Sequence, residues 1–370
     1  MKLASIEAIP IRLPRERESA LGSAGSPTTL HEGSQRFRWS TTVPALYSAD
    51  FETALVRITT DSGLTGWGEA QAPLAPEVAC EIVRLLLRPA VEGLEFDGTT
   101  TRISELWDLM YRTMRVRGQT GGFMLDAISG VDIALWDLAG KMRQKPVSAV
   151  IADAPASTVP AYYSGYPGER TSAVYDEGFR TIKIFHDASI PELLARIDAL
   201  SSRFHIAVDA LWRLDLDSAL SLGGELDERE VLWLEAPLLP EDVEGHAVLA
   251  RELRTPIAIG ESYRTRYEVK PFVDAGAINI LQPDLGRCGI TEFLRLAKLG
   301  PRVIPHVSIA MGPQIAAAIH VAAACRSELL EFNPNVLTVA NRYLAEPLHV
   351  QAAEYVVPKG PGLGILPVHI

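Results

Sequence analysis

From residue 159 to residue 331 the chain repeats one unit. A short apolar run ends in, or is interrupted by, a polar residue; turn residues follow, and then a helical pattern. The runs VPAYYSG, TIKIF, FHIAVDA, VLWLEAP, PIAIGES, INILQPD, RVIPHV and LLEF number eight. Continuous apolar runs separated by amphipathic helices predict βαβ units and a parallel sheet buried on both faces. Eight such units close into a (β/α)8 barrel, whose chemistry sits at the C-terminal ends of its strands. The barrel helices are clearest over residues 191–200, 289–299 and 312–325.

The residues before this repeat follow a different rhythm. Residues 2–13 alternate as a strand limited by Pro10 and Pro14. A second strand covers 51–58, and Asp61-Ser62-Gly63 is hairpin chemistry leading to a third strand through Trp67 to Ala70. Helical stretches at 77–87 and 102–115 follow, so this region is α+β and separate from the barrel. After Gly121-Gly122, residues 125–142 form a helix leading into the barrel. The expected domains are 1–124, 125–340 and a tail, 341–370, whose strand at Tyr355-Val356-Val357 returns to the N-terminal domain. Residues 21–42 shift to Gly, Ser, Thr and Pro around His31, Arg36, Arg38 and Trp39. A loop this long is either a functional lid over the barrel mouth or a floppy surface segment.

The polar residues at the strand ends keep time. Asp209, Glu235 and Glu261 are spaced by 26 residues, and one equal step back is Lys183. Asp284, His306 and Glu331 close the sixth, seventh and eighth runs. Neighbouring strands lie about 4.8 Å apart, so Asp209, Glu235 and Glu261 converge. Like charges resist joint ionisation at such range, and a hard divalent cation removes the cost; oxygen-only ligation favours Mg2+. One carboxylate could instead cap a helix or pair with an arginine, but three in register point to a shared ion. Asp284 beside His306 orients the imidazole and stabilises its protonated form, which makes a general acid/base pair. Lys183 lies across the barrel, placed to take a proton or to stabilise developing negative charge, and it can also pair with one of the acids. Glu331 can donate or accept a hydrogen bond according to its protonation, and Ser164 is a candidate for binding a substrate carboxylate. Strand alternation puts Phe185 on the face of Lys183 and turns His186 towards the helices. His205 and His320 read as structural, and Asp227-Glu228-Arg229-Glu230 as a solvated helix end.

A net charge of −11 argues against nucleic acid or an anionic membrane as a partner. It leaves an acidic small molecule open, because a bound metal reverses the local sign. Three scattered cysteines suit a reducing cytoplasm, and no apolar run approaches the ~20 residues of a membrane span. The N-terminal MKLASIEAIPIRLP lacks the apolar core of a signal peptide. The expectation is a cytoplasmic protein that takes a small-molecule substrate.

GLTGWGEA, GFRTIKIF, VDALWR, WLEAP, IGES, QPDLGRCGIT and PHVS together resemble the enolase superfamily, in its mandelate racemase subgroup, over nearly the full length. The resemblance implies an α/β fold, a modified (β/α)8 TIM barrel with an α+β N-terminal capping domain. It implies Mg2+, abstraction of the proton α to a carboxylate with a lysine or histidine base, and a symmetric homo-oligomer. Asp209, Glu235 and Glu261 match its metal ligands, Asp284 and His306 its His–Asp dyad, and Glu331 the acid that assists at the enolate. Three positions depart: Phe185 stands where a second lysine is usual, Leu211 replaces a frequent polar residue, and Ala236 a frequent second glutamate. With one base, dehydration of a sugar acid or other hydroxy acid is the leading expectation. A lactone cycloisomerase or epimerase/racemase is the second, and a metal-containing carboxylate-binding protein without turnover is the reading from another class.

Overall fold

The computed structural model describes residues 1–14, 37–39 and 45–369. Each of the eight apolar runs coincides with a barrel strand to within one residue at its start or contains it: Thr158–Ser164, Thr181–Phe185, His205–Asp209, Leu234–Glu235, Ile257–Ile259, Ile280–Leu281, Arg302–Val303 and Leu330–Phe332. The fourth, sixth and seventh are short because Pro237, Pro283 and Pro305 follow them and cannot donate to a ladder. The parallel ladder runs from the seventh strand back to the first, which also pairs with the eighth. An isolated bridge between Asp284 and His306 extends the sixth and seventh strands to the two dyad residues.

Side-chain alternation stacks the interior in layers. Tyr162, Ala207, Trp233, Ala258, Ile280 and Ile304 form a buried apolar cluster. Two residues further along, on the same face, come Ser164, Asp209 and Glu235. The polar layer therefore rests on an apolar floor.

The capping domain opens with an antiparallel sheet of Leu3–Pro14, Asp50–Thr60 and Thr65–Ala70. A nearly continuous helical stretch from Pro76 to Val91 and the helix Thr100–Arg115, capped by Thr99, complete it. The linking helix, Gly122–Met142, starts before the expected boundary at 124 and is buried along most of its length. It packs against the third strand at two glycines: a Cβ at Gly68 would lie 2.0 Å from the Gly130 carbonyl, and one at Gly66 2.4 Å from that of Ala134. Backbone-to-helix contact this close demands glycine. On its other side the helix meets the barrel, where Asp132 accepts from the Thr291 amide and hydroxyl.

The tail differs from expectation. Glu354–Val356 pairs antiparallel with Thr158–Pro160 of the first barrel strand rather than with the cap sheet. The eighth strand meets the first only from Ala161 onward, so the start of the first strand has open ladder groups, and the tail fills them. Further on, Leu363 donates its amide to Asp137 of the linking helix. Most of the 21–42 loop, including His31 and Arg36, lies outside the described residues. Within it, Phe37–Trp39 forms a short ribbon with Leu46–Ser48. Among the described residues no helix is long and apolar enough to cross a membrane.

Candidate active site

The strand ends open into a cavity of about 460 Å³ whose lining includes Ser164, Lys183, Asp209, Glu261, His306 and Glu331. Lys183 stands at its base, 1 % exposed, with its Nζ 2.6 Å from Glu235 Oε1, 3.0 Å from Glu331 Oε1 and 3.5 Å from Asp209 Oδ2. Burial alone would discharge an ammonium, but Glu235, Glu331 and Asp209 outweigh it and hold the pKa well above its ordinary value.

Glu235 is anchored from below. Its Oε2 accepts from Trp233 Nε1 at 3.0 Å and from Gln282 Nε2 at 2.8 Å. Both donors precede an expected site residue by two positions on the same strand, and that spacing is the signal by which sequence could have found them. Register places Asp209 opposite Glu235, and the two carboxylates crowd. Burial raises the pKa of Asp209 well above the carboxylate range, and the charge of Glu235 adds to it. Lys183 offsets this only in part.

His306 bridges the other half of the site. Its Nδ1 meets Asp284 Oδ2 at 2.9 Å, while its Nε2 lies 2.7 Å from Glu261 Oε2 and 3.4 Å from Glu331 Oε2. Burial would lower the pKa of His306, but Glu261, Glu331 and Asp284 raise it well above ordinary. Burial likewise raises Glu331, yet Lys183 and His306 bring it down to about 2. Asp284 is fixed on all sides, accepting from Gly286 N at 2.8 Å, Ser308 N at 3.2 Å and Gln314 Nε2 at 2.7 Å. Ser164 lies near Glu331, but its buried hydroxyl makes no hydrogen bond of normal geometry.

The donor set suits a divalent cation. Ligand atoms of Glu235, Glu261 and His306 all lie within 4.8 Å of one another. Asp209 joins them through Lys183 rather than within that distance. Burial first, and the charge of Glu235 after it, raise the pKa of Asp209, and the carboxylate oxygens of Glu235 and Glu261 match a hard ion.

Backbone strain collects at the same strand ends. Leu211, Trp212 and Ala236 take left-handed φ of 57°, 53° and 44°. Each costs on the order of 1–3 kcal/mol and persists because neighbouring contacts over-determine it. Leu211 N donates to Asp209 Oδ1, Trp212 N to the Ala236 carbonyl and Ala236 N to the Ala258 carbonyl.

Comparison with known proteins gives this fold a family. Residues 40–152 match the mandelate racemase / muconate lactonizing enzyme N-terminal domain, and residues 168–368 match the enolase C-terminal domain-like family. The chain is 31% identical to D-galactarolactone cycloisomerase of Agrobacterium fabrum, an alignment covering 84% of this chain and 88% of that protein. It is 29% identical to arabinonate dehydratase of Saccharolobus solfataricus, covering 90% and 93%. The crystal structure of an enolase-superfamily member from Agrobacterium tumefaciens superposes with a TM-score of 0.90 at 30% identity, covering 100% and 97%. A racemase from Streptomyces coelicolor, solved with bound magnesium, superposes at 0.80 and 25% identity, covering 99% and 97%. The chain is thus an enzyme of the enolase superfamily, with the mandelate racemase / muconate lactonizing enzyme capping domain.

Proposed function

We propose that this enzyme removes the proton α to a carboxylate with His306 as base and Mg2+ bound by Asp209, Glu235 and Glu261, and that its reaction is dehydration of a hydroxy acid. The observation that carries the reading is the arrangement itself: crowded carboxylates on one side, an Asp284-oriented His306 on the other, and Lys183 buried beside them. When bound, the cation supplies charge that offsets the carboxylates and the negative charge growing on the substrate.

The protein's own groups divide the remaining work. Asp284 holds the Nδ1–H tautomer, leaving Nε2 as the basic atom. Nε2 engages Glu261 at 2.7 Å and must be released from it to act as a base. Lys183 stays charged, a fixed donor for the substrate carboxylate. His306 takes the α-proton as the C–H bond breaks, then returns it to the β-hydroxyl, which departs as water when the C–O bond breaks. Where the α-carbon also bears a hydroxyl, the product of this elimination is an enol, which tautomerises to a 2-keto acid.

Phe185 favours this one-base chemistry over racemisation. Lys183 Nζ lies 5.6 Å from the centre of its ring, on the same strand face. Cycloisomerisation is the second reading, supported by the 31% identity to a protein of that name. Incubation of the Mg2+-loaded enzyme with a panel of hydroxy acids and lactones separates the cases. A 2-keto product supports dehydration and a rearranged isomer supports cycloisomerisation. Binding without product points to a carboxylate-binding protein.

A further inference from the structure

We infer that Arg287 binds a second carboxylate at the far end of the substrate, which makes the substrate a hydroxylated dicarboxylate. This rests on the α-proton reading above and concerns the side of the cavity opposite Lys183.

The first observation is where the cavity's positive charge stands. Its described lining carries one lysine, Lys183, and one arginine, Arg287. Lys183, on the second strand, is spent on Glu235, Glu331 and Asp209. Arg287 lies in the first turn of the helix Leu285–Leu296, after the sixth strand. The second and sixth strands stand opposite each other in an eight-stranded barrel, so the two cations line opposite sides of the mouth. A substrate with its first carboxylate beside Lys183 can extend across the mouth to Arg287.

The second observation is that Arg287 lacks a full partner. Its side chain is 21% exposed, and among the described residues it makes no hydrogen bond. Its ion-pair partner, Asp126, lies 3.9 Å from Nη1, too far to accept. Asp126 gives both oxygens to Arg264 instead, at 2.9 and 3.2 Å. Glu268 and Asp284, the other acids that act on Arg264, are held by the amides of Arg264 and Thr265 and by His306 and Gln314. Two guanidiniums thus share one carboxylate, and a positive charge is left over beside the cavity. A largely buried guanidinium is costly without a charged partner, and its planar fork matches a carboxylate bidentately. The single charge balances a carboxylate better than a phosphate, which carries about −1.5 to −2.

The wall nearby supplies partners for hydroxyls. Gln71 docks beside Arg287 by donating its amide to the Gly286 carbonyl at 2.9 Å, and its Oε1 is buried without a partner. Ser262 and Ser308 line the same cavity.

The test is calorimetric binding to the Mg2+-loaded enzyme of two matched pairs, glucarate with gluconate and galactarate with galactonate. Each pair shares its stereocentres and differs only at C6, carboxylate against hydroxymethyl. In the pair that binds more tightly, the diacid should bind about tenfold or more tightly than the monoacid, as a hydrogen bond between charged groups provides. Arg287→Gln should bring the two within about twofold by weakening the diacid. The parent comparison decides even where the variant fails to fold. Equal or tighter binding of the monoacid overturns the inference. So does 6-phosphogluconate binding more tightly than glucarate, a variant that weakens both members alike, or no binding by any acid. Deuterium exchange at the α-carbon, read on the same samples, keeps the two claims apart. His306-dependent exchange without a diacid preference removes the Arg287 assignment alone; the predicted preference without exchange removes the proton-abstraction reading alone.

Discussion

Lys183 meets three carboxylates within 3.5 Å, and His306 meets three more contacts of the same kind, with Glu331 shared between them. At this scale a substitution tests one contact. In Asp284→Asn the Nδ1 partner loses its charge, and the imidazole is free to take the wrong tautomer. kcat should fall by about 10³–10⁴, as when an aspartate that orients a catalytic histidine is neutralised, while KM changes little. A kcat/KM within about tenfold of the parent, ~1.4 kcal/mol, would remove the dyad from the mechanism. Gln314 acts one contact further out, through the 2.7 Å hydrogen bond to Asp284 Oδ1. Gln314→Leu should lower kcat several-fold at nearly constant KM, and Gln314→Ala should do the same. A change confined to KM would show that Gln314 does not position the dyad. The strand-end acids were legible in sequence because each ends its own apolar run. Gln314 was not, because its role depends on the seventh-strand loop folding back over Asp284.

Elements meet most consequentially at Glu69, the last acid of the GLTGWGEA hairpin. It is fully buried and accepts from Thr53 of the cap at 2.9 Å, from Met311 N at 2.6 Å and from Gln314 N at 3.2 Å at the start of the helix Pro313–Cys325. A cap-domain carboxylate therefore clamps the barrel loop that follows His306. Burial raises its pKa to about 7, against hydrogen bonds that lower it. The folded state then holds a proton more tightly than the unfolded chain. The associated stability is fully present below about pH 4.5 and is lost as pH rises through about 7, by on the order of 3 kcal/mol. Thermal melts of Glu69→Gln should show a flatter dependence of stability on pH between 5 and 8 than the parent, whatever the constant offset. Identical slopes would mean that Glu69 does not titrate in the folded protein. Hairpin and barrel strands could each be read from local pattern; their clamp could not, since a GEA at the end of a strand looks the same whether solvated or docked. The tail was misplaced for a related reason. Only the late start of the eighth strand exposes the ladder groups that Glu354–Val356 covers.

At the scale of the whole molecule, metal binding on the proposed reading is coupled to folding. A cation that binds the native carboxylates and not the unfolded chain stabilises by about 2.7 kcal/mol at a hundredfold excess over its Kd. Mg2+ should raise the melting temperature of the parent by several degrees and leave Glu235→Gln unmoved; an equal rise in both would take Glu235 off the ligand set. The family was legible over nearly the whole length because its motifs lie at strand ends, where chemistry fixes residue type. The place of Leu211 and Trp212 in the cavity was not, because it depends on how they turn after Asp209. The central claim is one base serving one face, and α-hydrogen exchange in D2O tests it most directly. A resolved α-chiral carboxylate lacking a β-leaving group, incubated with the Mg2+-loaded enzyme, should exchange its α-hydrogen with retention of configuration, and His306→Asn should abolish exchange. Racemic product, or exchange that survives the loss of His306, would contradict the account and make Lys183 the second base.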